Sequence, residues 1–187
     1  IYLILPILEP EPEPVFIESF VLTDLNGDQS DLIEMHQSKF LIINFWATWC
    51  APCRKEMPLL NNYHLTKSED YPNVIGIAID ELDQVNNFVA ELGIDFPILV
   101  GQSEAYDLME SLGNTILTLP YTILVNQEGM IVWSKNTEIK TEDLNFPYDD
   151  FSSLDYESHV FGQKSYNGVA IISKCKLQNV KLDLIKD

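Results

Sequence analysis

Two cysteines stand two residues apart in the run Phe45-Trp46-Ala47-Thr48-Trp49-Cys50-Ala51-Pro52-Cys53, between an apolar stretch with strand character and one with helical character. That junction predicts Cys50 at the first turn of a helix, where unpaired backbone N–H groups and the positive end of the helix dipole favour an anion. A thiolate is such an anion. A free cysteine has a pKa of ~8.5, and this setting can lower it to between ~3.5 and ~7.5, so Cys50 is expected to be nucleophilic near neutral pH. Cys53, one turn on and shielded, can then attack a mixed disulfide and release the product. The chemistry is dithiol–disulfide exchange.

The same spacing would serve as half of a zinc site, which needs two more Cys or His ligands. Only Cys175 remains, and His36, His64 and His159 stand singly. The redox reading is therefore preferred, and no metal is expected. Pro52 agrees with a tight first turn, because proline there loses no hydrogen bond.

The elements around the motif follow from periodicity. Residues 16–22 read as a first strand and Asn26-Gly27-Asp28 as a turn. Residues 41–45 are continuously apolar, as in a central strand covered on both faces. A helix is expected over residues 50–66, a buried strand over 73–79 closing on Asp80, and a helix over 83–92 with Gly93 as C-cap. Residues 96–100 read as a short strand and 103–112 as a helix ended by Gly113. Residues 121–125 and 130–133 flank Asn126-Gln127-Glu128-Gly129 as a hairpin. Crossovers followed by a terminal hairpin predict an α/β fold, a mixed sheet flanked by helices. Pro120 precedes the hairpin, either as an ordinary strand start or as a cis proline shaping a functional turn.

The 187 residues are 46% hydrophobic, enough for one large domain or one domain plus a fragment. Eleven basic side chains face 29 acidic ones, for a net charge of −18. Such a surface repels phosphate backbones, so no nucleic-acid partner is expected. A basic protein partner would suit it, although solubility explains it equally well. The chain opens on Ile1 rather than Met, which reads as processing or truncation. Its first eight residues are too short to span a bilayer. They read as the remnant of a signal or anchor segment or as a terminal strand, followed by an extended Glu/Pro spacer through Pro14. Anchor remnant, spacer and folded domain is the layout of a membrane-tethered module.

Residues 15–136 resemble the thioredoxin superfamily, and within it the TlpA/ResA/DsbE-like thiol-disulfide oxidoreductases that work outside the bacterial cytoplasm. The residues that carry this are Phe45 through Cys53 with Arg54-Lys55-Glu56-Met57-Pro58, then Val74-Ile75-Gly76-Ile77-Ala78-Ile79-Asp80, and Leu119-Pro120-Tyr121-Thr122-Ile123-Leu124-Val125-Asn126. The resemblance implies a thioredoxin-like fold in which Cys50 attacks, Cys53 resolves, and Pro120 is the cis proline that guides an extended substrate. It also implies substrate contacts at Trp49, Ala51, Pro52 and Leu119. Trp46 and Trp49 otherwise read as packing around the disulfide. Glu56 matches an acid that such proteins keep near the cysteines for proton handling; otherwise it is a solvated helix residue. Classical thioredoxins carry a buried aspartate where this chain has Asn44, which cannot take a proton. The expected partners are disulfide-containing protein substrates and a membrane or soluble thiol electron donor, with no cofactor beyond the Cys50–Cys53 disulfide. The expected location is periplasmic or otherwise extracytoplasmic, with reductant work of the cytochrome c maturation type.

Residues 138–187 instead resemble an internal piece of the exonuclease III/AP endonuclease family, through Glu138-Ile139-Lys140, Asn145-Phe146-Pro147-Tyr148-Asp149-Asp150-Phe151 and Gly162 to Lys174. Glu138 would fall at that family's metal-binding glutamate, but only if the fragment were completed. One carboxylate does not hold Mg²⁺ in place. The expectation is a seam near residues 134–137, then a partial α+β appendage that packs loosely. It would hold strands over 156–161 and 169–173 and a helix over 147–154. Beside the oxidoreductase stand two alternatives, a non-catalytic thioredoxin-like binding domain and a nuclease fragment without a complete active site. A peroxidase would place its reactive cysteine in a different motif.

Overall fold

The computed structural model describes residues 14–37, 39–69, 71–144, 157–161 and 169–173. In chain order the elements are β1 (Val21–Asp24), β2 (Gln29–Asp31), α1 (Leu32–His36), β3 (Leu41–Trp46), α2 (Ala51–Thr66), β4 (Asn73–Ile79) and α3 (Leu82–Leu92). There follow β5 (Ile98–Gly101), α4 (Ser103–Ser111), β6 (Tyr121–Val125), β7 (Ile131–Lys135), α5 (Thr141–Leu144), β8 (Glu157–Phe161) and β9 (Val169–Ser173). Seven strands form one mixed sheet in the order β2-β1-β5-β4-β3-β6-β7. β3, β4 and β5 run parallel; β6 and β7 are antiparallel. The α/β, thioredoxin-like expectation holds.

β3 is buried at all six positions, as its unbroken apolar run requires of a strand covered on both faces. Its side chains alternate between two cores. Ile42 and Trp46 pack with Met57 and Leu60 of α2 and Val85 and Phe88 of α3. Leu41, Ile43 and Phe45 pack with Leu32 of α1 and Leu108 and Met109 of α4. This alternation points Asn44 to the α2 side.

Three expectations need correction. Residues 16–22 are not one strand: Phe16 makes an isolated bridge to Met130, and β1 starts only at Val21. Ile17 N–H donates to Gly129 O (2.8 Å) and Ile131 N–H to Val15 O (2.9 Å), so the β6–β7 turn claims the first residues. β2 and α1 are additional. Asp31 caps α1 by accepting from Ile33 N–H at 3.0 Å, and Leu32 and His36, one turn apart, share its buried face. β5 begins at Ile98 rather than residue 96, after Pro97, which has no N–H to donate to a ladder.

The predicted loose packing fails over residues 137–144. Ile139 and Leu144 are buried in the α2-side core. Asp143, 3% exposed, pairs with Lys135 of β7 at 2.5 Å and accepts Lys140 N–H at 2.8 Å. The expected strand pair is present as β8 and β9, antiparallel, with Glu157 opposite Ser173. The helix expected over 147–154, the anchor and spacer through residue 13, and Cys175 lie outside the described residues. Among the described residues no helix is long and apolar enough to cross a membrane.

Candidate active site

Cys50 is the N-cap of α2, and Ala51 and Pro52 open the helix, both exposed. Cys50 and Cys53 are joined by a disulfide with Cα atoms 5.3 Å apart. The Cys50 Sγ accepts the Cys53 N–H at 3.3 Å, so a helix-start donor is already aimed at the sulfur that would carry charge. Cys50 is 6% exposed and Cys53 0%, an asymmetry that makes Cys50 the reachable sulfur.

The Leu119–Pro120 peptide is cis and Pro120 is buried. Phe45 of β3 lies opposite Tyr121 of β6, so the start of β6 sits beside the end of β3, where the cysteine loop begins. Leu119 is half-buried and packs against both cores.

The two tryptophans differ. Trp46 is fully buried, 5.1 Å from Phe88 between ring centroids. Trp49 is 64% exposed, so the packing reading fails for it. It borders an open groove of 440 Å³ shared with Asp80, Glu81 and Tyr106. Between the tryptophans, Asp80 Oδ2 accepts from Thr48 N–H (3.0 Å) and Thr48 Oγ1 (2.5 Å). Arg54 donates to Thr48 O at 3.2 Å while its guanidinium lies 4.8 Å over Phe88. The loop before Cys50 is thereby braced from β4 and α2. The sequence reading marked Asp80 as the close of a strand and part of the matching segment, without this bracing role.

Glu56, one turn after Cys53, is 1% exposed; the solvated-helix reading is wrong. Its Oε1 accepts from Asn44 Nδ2 at 2.8 Å and its Oε2 from Ile139 N–H at 2.6 Å. Asn44 Nδ2 also donates to Thr122 Oγ1 at 2.9 Å. Burial pushes the Glu56 carboxyl up to about 7; the two hydrogen bonds pull it down, the Glu138 charge pushes it up, and Lys135 pulls it down. A carboxyl titrating near neutrality one helical turn from Cys53 is suited to taking and returning a proton once the pair is reduced. Sequence reasoning missed Ile139, whose backbone donor leaves no trace in residue type. Glu138, half-buried, belongs to this site electrostatically. Among the described residues no group of three or more His, Cys, Asp or Glu is placed to hold a metal ion. His36 is buried with Nε2 2.7 Å from Asn126 O, a contact that ties α1 to the turn after β6.

Comparison with known proteins agrees with this geometry. The Redoxin family model matches residues 14–155. The thiol-disulfide oxidoreductase ResA of Bacillus thuringiensis (strain Al Hakam) is 34% identical over 115 residues, 61% of this chain and 64% of the relative. The chain thus spans a little under two thirds of that relative's length. A thioredoxin-family thiol:disulfide interchange protein from Chlorobium tepidum superposes with a TM-score of 0.62 at 24% identity, covering 71% of this chain and 92% of that one. A thioredoxin-related protein from Neisseria meningitidis serogroup B gives 0.59 at 28% identity, covering 66% and 92%. None of these supports the nuclease-like reading of residues 138–187, and the family match itself takes in residues 138–155. With its cysteine pair at the mouth of α2 and this match across most of its length, the chain belongs to the Redoxin family.

Proposed function

We propose that the protein is a thiol-disulfide oxidoreductase that passes two electrons from its Cys50–Cys53 dithiol to disulfide-containing protein substrates. The observation that carries this reading is the disulfide at the α2 N-cap, with Cys50 6% exposed and Cys53 fully enclosed. In the reduced protein the Cys50 thiolate attacks a substrate disulfide, whose S–S bond breaks as one substrate thiolate leaves. The Cys53 thiol gives its proton to Glu56 and attacks Cys50 Sγ. The Cys50–Cys53 bond forms, the mixed disulfide breaks, and the second substrate thiolate leaves. A membrane or soluble thiol donor then re-reduces the pair and is itself oxidised.

On this reading Trp49, Ala51, Pro52 and Leu119 contact the substrate near Cys50, and Pro120 guides it as an extended segment. The resemblance to extracytoplasmic ResA-like proteins supports work outside the cytoplasm, as a reductant in cytochrome c maturation. The acidic surface disfavours nucleic acid.

The test is reduction of a protein disulfide by the dithiol-charged protein. Cys50→Ala abolishes it, and Cys53→Ala stalls as a mixed disulfide visible by mass. Undiminished turnover in Cys50→Ala overturns the assignment. A reduction potential near ~−270 mV supports the reductant direction, and one near ~−120 mV reverses it.

A further inference from the structure

The segment after β7 does more than fill the core. Ile139, 2% exposed, sends its N–H to Glu56 Oε2 at 2.6 Å, across 83 residues of sequence. The turn that carries it is fastened on both sides. Lys135, in β7, pairs with Asp143, in α5, and Asp143 also holds the Lys140 N–H. Glu138 stands next to the donor, and its charge acts on Glu56. From the other elements packed against Glu56, β3 presents Asn44 and β6 presents Thr122 behind it, both uncharged. The charged groups that act on this carboxyl are therefore Glu138 and Lys135, both from the β7 side.

We propose that residues 135–144 form a clasp that positions Glu56 through the Ile139 N–H, with the Glu138 charge setting when Glu56 accepts the Cys53 proton. Glu138 is then a positioning residue, since it acts through Glu56. The physical basis is a competition at one carboxyl. The Ile139 donor favours the ionised form, whereas the neighbouring negative charge favours the protonated one. Glu56 and Cys53 are one helical turn apart, about 5–6 Å between Cβ atoms, so the two side chains share one face of α2. The balance is simple: the thiol becomes a thiolate and the carboxylate a carboxylic acid.

The proposal rests on Cys50–Cys53 being the exchanging pair, so its test is built to fail separately. The Glu56 carboxyl carbon is titrated by ¹³C NMR in the oxidised full chain, where no exchange chemistry is needed. Glu138→Gln lowers the Glu56 midpoint by on the order of half a pH unit, as a partly screened neighbouring charge does, and Glu138→Lys lowers it further. Ile139→Pro, which deletes the donor, raises it. The graded Glu138 pair tests the proposal even if the proline variant does not fold. In the reduced protein, the pH profile for resolving a Cys50 mixed disulfide moves in the same directions.

An unshifted Glu56 midpoint in both Glu138 variants overturns the clasp. A shifted midpoint with an unmoved resolution profile overturns its link to Cys53. Absence of any exchange by the unaltered protein defeats the functional reading instead.

Discussion

Asn44 and Glu56 meet 2.8 Å apart between β3 and α2, amide N–H to carboxylate, in a region closed to solvent. The strand's alternation delivers Asn44 to this face, and the helix delivers Glu56 one turn beyond Cys53. Two N–H donors do not offset the burial of the carboxyl, which titrates near 7 rather than 4.5. The folded chain therefore holds a proton that the unfolded chain gives up at lower pH.

The sign of the stability change follows. Below pH 4.5 both states are protonated at Glu56 and the group contributes nothing. Between about 4.5 and 7 the unfolded state binds fewer protons, so stability falls as pH rises. Above 7 the loss is complete, on the order of 3 kcal/mol for a shift of this size. Glu56→Gln removes this slope. Denaturant midpoints at pH 4.5 and 8 differ more in the unaltered protein than in the variant; parallel pH dependence would contradict the buried, proton-holding carboxyl.

The sheet centre was legible because β3, β4 and β6 are short apolar runs flanked by turn residues. The cysteine motif was legible because its spacing is local. Glu56 could be named from its place after Cys53, but its environment could not, since Asn44 lies twelve residues before it and Ile139 far beyond. A backbone donor such as the Ile139 N–H has no residue-type signature at all. β2, with the sequence Gln29-Ser30-Asp31, carries no apolar alternation, so only pairing with β1 makes it a strand. The seam misled for a physical reason: residues 137–144 lack the long amphipathic period of a terminal helix, yet Ile139 and Leu144 reach the core through one short turn.

Trp46 and Trp49 separate stability from recognition. Trp46 is fully buried against Phe88, so Trp46→Ala costs about 3–5 kcal/mol in a denaturant titration. Trp49 is 64% exposed, so Trp49→Ala changes stability by no more than about 0.5 kcal/mol. Its effect falls on KM for a protein disulfide, because Trp49, next to Cys50 in the chain, borders an open groove. An unchanged KM with lost stability would mean that Trp49 packs rather than recognises.

Asp80 directly follows β4 and holds the loop that carries Cys50. Its Oδ2 takes both the N–H and the hydroxyl of Thr48, and its Oδ1 takes the Glu81 N–H at 2.9 Å, at the start of α3. Asp80→Ala frees three donors and costs about 1–3 kcal/mol, since the bonds go to a charged and partly enclosed acceptor. Thr48→Val removes only the hydroxyl bond and costs less. Because the two residues share that bond, the double variant is less destabilised than the sum of the singles, by up to the cost of Thr48→Val alone. Strict additivity would show the short Thr48–Asp80 contact to be energetically idle. The rate of disulfide exchange supplies the second reading. A loosened residue 47–50 loop no longer holds Cys50 at the N-cap of α2, so Asp80→Ala slows attack on substrate while the protein remains folded. An exchange rate equal to that of the unaltered protein would leave Asp80 as a support for α3 alone.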